Sequence, residues 1–239
     1  GLVGSEMCIR DSAKEAESNE GATSEDSGAV TYEQLAYDSF VRRRQGSVGT
    51  TLPERVGRFE LEPADRKLIQ QADSFFLSTV TGAGWPYVQH RGGPKGFVHV
   101  LDDRTIGWLE FMGNNQYVST GNIDRDGRVA LFFINYPLRT RIKMFGYARV
   151  IELCDDPKIA KQLRNLGDKE IRSKSERAMI VDIVASDKNC TKHIKPRWDK
   201  EQVDERIALY RADIDELRNE ISELKERNNL LNKKLDSLS

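Results

Sequence analysis

The sequence of 239 residues has little cysteine and no long apolar run. Its three cysteines (Cys8, Cys154 and Cys190) are far apart and form no CxxC pair. This pattern argues against a disulfide framework or a zinc ribbon and favours a reducing compartment, the cytoplasm. No apolar stretch approaches the roughly 18 residues that cross a bilayer, so a membrane span is not predicted.

A strong net charge is also missing, because 37 Lys and Arg oppose 38 Asp and Glu. The charges are unevenly distributed. Residues 1–30 carry seven acids against two bases, and residues 199–239 carry eleven acids against eight bases. The intervening residues are therefore modestly basic, which favours an anionic small-molecule ligand but falls short of a nucleic-acid-binding surface. Neither nucleic acid nor a membrane is expected as a partner.

The composition predicts three parts. Residues 1–29 are acidic, small and polar, without a periodic apolar face, so we predict a disordered tail. The first 12 residues of this tail are interpreted as adapter-derived sequence rather than a secretory signal. Residues 30–198 are expected to form the folded domain, and residues 199–239 a dimeric coiled coil.

Within residues 30–198 the apolar pattern changes from helical spacing to strand alternation. A helix is expected over 32–44, with Leu35, Phe40 and Val41 buried, and a second helix begins at Pro63. Short strands joined by tight turns then predict a mainly β fold, an antiparallel barrel or sandwich with flanking helices, and we favour the barrel. The expected strands cover 75–80, 85–91, 97–101, 105–111, 128–136, 141–153 and 178–185, with helices over 114–122 and 157–166.

The C-terminal part has an unbroken heptad pattern from 207 to 238. Isoleucine at a with leucine at d favours a parallel two-stranded coiled coil, and a single asparagine at a specifies the dimer. A single amphipathic helix packed on its own domain is the alternative, but it would need a wider apolar stripe. Position a is occupied by Ile207, Ile214, Ile221, Asn228 and Leu235, and position d by Tyr210, Leu217, Leu224, Leu231 and Leu238.

Common catalytic motifs are not found in the sequence. The three histidines, at 90, 99 and 193, have no second ligand at metal spacing, so no metal site is predicted. The glycine-rich loop 92–96 lacks the GK[ST] ending of a phosphate-binding loop and does not precede a helix. A dinucleotide-binding fold is not expected either, because the strands do not alternate with helices.

Two runs, Ala72 to Val80 and Gly84 to Phe97, resemble the pyridoxamine 5′-phosphate oxidase-like, FMN-binding split-barrel family. The resemblance covers roughly residues 30–198 and implies a six-stranded antiparallel split β-barrel. It also implies a two-fold homodimer with one FMN in each of two clefts at the interface. Further matching segments are 101–103, 113–117, 120–123, 128–133 and 189–197.

The candidate cofactor-binding residues combine this resemblance with the local sequence. Arg91 lies at the end of a predicted strand beside a glycine-rich loop, and residues 114–116 open a predicted helix whose free N–H groups favour an anion. By resemblance, the strand end near 109–111 lies along the flavin ring and the 113–116 corner meets the phosphate. The full set is His90, Arg91, Gly92, Phe111, Asn114, Asn115, Gln116, Lys143 and Arg197.

The sequence departs from the family pattern at that corner. Family members usually have Ser-Arg-Lys where this chain has Gly113-Asn114-Asn115, so Arg91, Lys143 or Arg197 would have to supply positive charge. Structural roles remain as alternatives: a helix cap for 114–116, a core-edge position for His90, core packing for Phe111, and a solvated strand for Lys143.

Three hypotheses about function follow. The first is an FMN-dependent oxidoreductase acting on an unidentified small molecule. The second is a non-catalytic flavin-nucleotide carrier or sensor. The third is an assembly module in which the barrel is inert and the coiled coil recruits partners. F420 or haem in place of FMN is a further alternative, because split-barrel relatives use both.

Overall fold

The computed structural model describes residues 30–188 and 192–237. The chain forms two compact units. Among the described residues, the larger comprises 30–135 together with 139–188 and 192–193, and the smaller comprises 136–138 with 194–237. The expectations for residues 1–29, for the segment 189–191 and for Leu238 lie outside the described residues.

The larger unit contains five helices and seven strands among the described residues, and the smaller unit contains one long helix. The helices are α1 Tyr32–Ala36, α2 Ser39–Gln45, α3 Pro63–Gln71, α4 Val118–Arg125, α5 Pro157–Arg164 and α6 Lys200–Asp236. The strands are β1 Ser74–Val80, β2 Pro86–Gly92, β3 His99–Val100, β4 Thr105–Phe111, β5 Arg128–Asn135, β6 Thr140–Glu152 and β7 Ser175–Lys188.

The seven strands form one antiparallel sheet in the order β2-β1-β5-β6-β7-β4-β3. The prediction of a mainly β fold with antiparallel strands, flanking helices and a long C-terminal helix is confirmed. The sheet has seven strands and is open in the described part of the chain, with β2 and β3 as its two edges, so the six-stranded barrel stays a prediction. The expected strand at 97–101 is reduced to two residues, because only His99 and Val100 pair with β4; Phe97 and Val98 are buried in the core.

The expected single helix over 32–44 is wrong, because Tyr37 has non-helical backbone angles and separates α1 from α2. Leu35 and Phe40, predicted to be buried, are 48% and 70% exposed. The residue of this segment that enters the core is Tyr32, whose ring stacks on that of Phe145 with 5.0 Å between centroids. The helical spacing alone therefore identified the wrong face.

The sheet is strongly curved. Although four strands separate β2 from β4 in the sheet order, Arg91 on β2 forms an ion pair with Glu110 on β4. Between them, a Cβ atom on Gly93 would lie 2.6 Å from Cγ of Phe97 and 3.0 Å from Cε2 of Phe111. Glycine is required there because the curvature brings aromatic rings against the backbone.

The inner face of this curved sheet holds the core. Phe75 is fully buried at its centre, with ring centroids 4.8 Å from Phe133, 4.9 Å from Trp108 and 6.0 Å from Phe97. Helix α3 adds Ile69, which is fully buried against this core. Core packing therefore fixes the strands whose ends carry the site described below.

The turn from α4 into β5 contains an ion pair with a measurable pH signature. Hydrogen bonds from the Arg128 guanidinium lower the pKa of Asp126 from 3.8 to about 2. Because this pKa is depressed on folding, the stabilisation is present above about pH 4 and is lost as the pH falls towards 2. Carboxyl NMR titration should give a pKa near 2. A value near 4 would show that the ion pair does not form in solution.

Replacing Asp126 with asparagine should remove this acid dependence at a cost below about 1 kcal/mol at neutral pH, since the partner guanidinium is largely exposed.

In the smaller unit, α6 begins with a capping box in which Asp199 and Gln202 exchange hydrogen bonds. At 1.5 Å per residue, its 37 residues extend about 55 Å. The predicted a and d side chains from Ile207 to Leu231 are exposed along one stripe, and Val203 extends it by one further d position. No helix in the described ranges combines the length and apolar character needed to span a membrane.

Candidate functional site

A polar cleft lies where β2, β4 and the start of β7 meet the loop that leads into α4. Strand β2 contributes alternate residues, β4 contributes its last two residues, and β7 contributes residues from its start. The lining residues are Tyr87, Gln89, Arg91, Glu110, Phe111, Met112, Gly113, Asn114, Asn115, Gln116, Tyr117, Val118, Ser119, Glu176 and Arg177.

The ion pair that spans the curved sheet also forms the floor of the cleft. Nη1 of Arg91 lies 2.9 Å from Oε1 of Glu110, and these side chains are only 14% and 12% exposed. The second carboxylate oxygen of Glu110 accepts a hydrogen bond from Oγ1 of Thr120 at 3.1 Å. Nε of Arg91 is buried and finds no acceptor among the described residues. A buried donor of this kind gains free energy from a ligand that accepts its proton in a hydrogen bond.

The loop 113–117 has an unusual backbone. Asn115 and Tyr117 have positive φ angles of 57° and 48°, a conformation that asparagine tolerates better than tyrosine does. Hydrogen bonds inside the loop hold it: Oη of Tyr117 donates to Oδ1 of Asn115 at 3.1 Å, and the Gln116 amide donates to Oδ1 of Asn114 at 3.2 Å. The predicted helix over 114–122 is therefore displaced to 118–125.

Helix α4 forms the wall that follows this loop. No described side chain caps its N-terminus, so the first N–H groups of the helix are available as donors beside the cleft. Oγ of Ser119 donates to Oε1 of Gln89 at 2.8 Å, which ties the first turn to β2. A buried hydrogen bond of 2.9 Å from Asn122 to Thr79 holds the same helix against β1. The wall is therefore held at its first turn and at its middle.

A second arginine completes the cleft from β7. Nε of Arg177 lies 2.6 Å from Oε1 of Glu152, and its Nη1 lies 3.4 Å from Oε2 of Glu176. Its guanidinium also lies over the ring of Tyr117, 4.8 Å from the centroid. Burial by itself lowers the pKa of Arg177, but hydrogen bonds to Glu152 and Tyr117 and the charges of Glu152 and Glu176 together outweigh it and raise the pKa, so this cation stays charged. Arg177 thereby supports Tyr117, at the end of the loop.

Five of the residues predicted from the sequence come together in this cleft. They are Arg91, Phe111, Asn114, Asn115 and Gln116.

Four other predicted residues lie elsewhere. His90 alternates to the opposite face of β2, where it is exposed and packs edge-on against Phe76, and Gly92 lies beside its ring. Lys143 pairs with Asp187 at 2.9 Å on the adjacent strand. Burial alone would lower the pKa of Lys143, but hydrogen bonds to Tyr32 and Asp187 outweigh it and raise the pKa. Arg197 belongs to the smaller unit, over the ring of Tyr136.

Sequence reasoning missed Gln89, Glu110 and Arg177. Strand alternation could have found Gln89, because it lies two residues before Arg91 and so on the same face. The predicted last strand began at 178, which left Arg177 in a loop. Glu110 carried no local signal, since its role depends on a partner across the curved sheet.

The electrostatic balance of the cleft is even. Its charged lining residues are two arginines and two glutamates, so its formal net charge is zero. The other polar groups are mainly neutral carboxamides and hydroxyls. No cluster of histidine, cysteine or carboxylate side chains suited to a metal ion occurs in the described ranges. Such a lining suits a ligand with many hydrogen-bonding groups.

Comparison with known proteins gives a consistent result for this region. A sequence model of the family described as pyridoxamine 5′-phosphate oxidase matches residues 61–186, a range that contains every lining residue of the cleft. No curated protein sequence matches the chain.

Several solved structures resemble the chain. A putative pyridoxamine 5′-phosphate oxidase from Lactobacillus delbrueckii has 23% identity and a TM-score of 0.41, with 54% of this chain and 93% of that chain covered. An FMN-binding protein from Syntrophomonas wolfei has 17% identity and a TM-score of 0.36, covering 53% and 89%. A pyridoxamine 5′-phosphate oxidase-related, FMN-binding protein from Nostoc punctiforme has 13% identity and a TM-score of 0.40, covering 54% and 84%.

Proposed function

The chain belongs to the pyridoxamine 5′-phosphate oxidase family, and on that premise we propose that its cleft binds FMN and serves a flavin-dependent oxidoreductase. The family membership confirms the resemblance predicted from the sequence. The observation that carries the proposal is the cleft itself, in which one buried arginine donor has no acceptor among the described residues. The substrate is proposed to be a small molecule.

The lining residues carry hydrogen-bonding groups complementary to the edges of a flavin ring. Nε of Arg91 and the amides of Gln89, Asn114 and Gln116 would donate to ring carbonyl groups, and the side-chain amide oxygens would accept from a ring N–H. Phe111 would offer an apolar contact to the ring. These groups bind and orient, and the carboxylate of Glu110 keeps Arg91 in place. Bound FMN supplies hydride- and electron-transfer chemistry at its ring.

A non-catalytic flavin carrier or sensor is the second candidate, favoured by one observation. The two carboxylates that line the cleft, Glu110 and Glu176, both form ion pairs with arginines. A group held in an ion pair is poorly placed to exchange protons with a substrate. Turnover of a reduced nicotinamide donor in the presence of FMN would select the oxidoreductase, and tight FMN binding without turnover would select the carrier.

The assembly proposed for this chain is a homodimer with two contacts. The curvature that joins Arg91 to Glu110 supports closure of the sheet into a six-stranded split barrel, with β3 as a short edge. Phe76 and Val88 are exposed on the outer face of β1 and β2, which supports that face as a barrel contact. The exposed heptad stripe of α6 supports a parallel coiled coil as the second contact.

Titration of flavin fluorescence with the purified full chain tests the proposed site. Replacing Arg91 with glutamine removes the buried donor and leaves the Glu110 carboxylate without its guanidinium, so FMN affinity is expected to fall at least about tenfold.

The matched control is Arg149→Gln. Nη1 of Arg149 also pairs with a carboxylate, that of Asp182 at 2.7 Å, but Arg149 does not line the cleft. We expect the control to bind FMN like the unaltered chain. Equal affinities for all three proteins would place the flavin elsewhere, and no binding by any of them would reject the proposed function.

A further inference from the structure

We infer that the cleft recognises the ring system of a flavin and is nearly indifferent to its 5′-phosphate, so that riboflavin and FMN bind with similar affinity. The inference rests on the proposed function, because it concerns the same cleft. It goes further by assigning a ligand class, a neutral ring with hydrogen-bonding edges. A phosphate dianion needs uncompensated positive charge, and the described residues that line the cleft in one chain do not offer it.

The first of the two cleft cations is already neutralised. The guanidinium of Arg91 lies 2.9 Å from the Glu110 carboxylate, and both side chains are largely buried. An ion pair shielded from water is strong, so a ligand anion would have to compete with Glu110 for the same cation. A dianion near this pair would also be repelled by Glu110 itself. A neutral ligand group that accepts a hydrogen bond from Nε of Arg91, which has no acceptor among the described residues, would not be repelled in this way.

The second cation is compensated even more fully. Arg177 has the carboxylate of Glu152 at 2.6 Å and that of Glu176 at 3.4 Å. The remaining face of its guanidinium lies over the ring of Tyr117. Two carboxylates on one arginine give this corner of the cleft a local excess of negative charge, which disfavours an anionic ligand group.

Lys143, a further cation that the sequence offered, does not restore the balance. It is paired with Asp187 and lies over the Tyr32 ring, outside the cleft. The N-terminus of α4 offers free N–H groups worth about half an elementary charge, less than either glutamate removes. The corner at 113–115 adds glycine and asparagine only.

The test is a comparison of dissociation constants for riboflavin and FMN, measured with the full chain by quenching of flavin fluorescence. The inference predicts that the dissociation constant of riboflavin exceeds that of FMN by less than about tenfold. A ratio above tenfold would overturn the inference while leaving the proposed flavin site intact. Binding of neither flavin would overturn the proposed function and the inference together.

Two variants test the electrostatic cause. Replacing Glu110 with glutamine keeps the size of the side chain and an acceptor for Thr120, but frees the charge of Arg91. In this variant we expect the affinity for FMN to rise at least about tenfold relative to the affinity for riboflavin. Glu176→Gln should move the ratio of the two dissociation constants in the same direction. Because Glu176 is more exposed, this variant keeps the test available if Glu110→Gln fails to fold.

Glu60→Gln is the matched control, because Glu60 is exposed and does not line the cleft. It changes the net charge equally and should leave the ratio of the two dissociation constants unchanged. A ratio that stays the same in both cleft variants, or that changes equally in the control, would overturn the assignment of the two glutamates.

Discussion

Replacing Phe75 with alanine is expected to lower the free energy of unfolding by about 3–5 kcal/mol. Phe75 is 1% exposed, and its ring contacts those of Phe97, Trp108 and Phe133. Its removal leaves a cavity between aromatic rings that come from three separate places, namely β4, β5 and the loop before β3, and close-packed elements do not collapse to fill such a cavity. The site depends on the same packing, since Phe97 also contacts Phe111 in the cleft.

Urea unfolding followed by tryptophan fluorescence measures this effect, because Trp108 is a direct neighbour of Phe75. The control is Phe40→Ala, which removes the same ring from an exposed position on α2, where it lies under Arg43. The control should cost less than about 1 kcal/mol. Similar losses in the two variants would contradict the assignment of Phe75 to the core.

Replacing Leu224 with glutamate is expected to break the proposed coiled coil. Leu224 occupies a central d position and is exposed in the single chain. In a dimer, the change would bury two carboxylates in an apolar seam and cost at least about 3 kcal/mol. The readout is an interchain disulfide through Asn228→Cys, in a chain whose native cysteines are replaced by serine. A parallel, in-register pair places residue 228 against its own copy, because equal a positions meet.

Two controls separate the seam from the rest of the helix. Leu230→Glu changes an equally exposed leucine at position c and should leave the disulfide intact. A cysteine at Asn229, position b, should cross-link at least about tenfold more slowly than one at 228. Cross-linking that survives Leu224→Glu, or that is equal at 228 and 229, would reject the parallel coiled coil.

Much of the fold could be predicted from local patterns. Alternation of apolar residues defined β1, β5 and β6 to within a residue or two, and proline at N1 marked the starts of α3 and α5. The predicted ends of an element were wrong where contacts with distant parts of the chain determine how far the element extends. Polar residues at the start of β7 extended that strand beyond its apolar run, since pairing with β4 and β6 holds them.

The site was less accessible to sequence reasoning, for physical reasons. The corner at 114–116 was identified by resemblance, but the positive φ angles of Asn115 and Tyr117 that displace α4 leave no readable signal. The pairing of Arg91 with Glu110 depends on the curvature of the whole sheet. Arg177 reaches the cleft only because β7 pairs with β4, far away in sequence.

The central claim is that the cleft of this family member binds a flavin, and a visible absorption spectrum tests it most directly. The purified full chain would be incubated with excess FMN, desalted and scanned. The account predicts that an equimolar, structured flavin band stays with the protein and is lost in the Arg91→Gln variant but kept in Arg149→Gln. A colourless protein after desalting, with no quenching of FMN or riboflavin fluorescence at equilibrium, would contradict it.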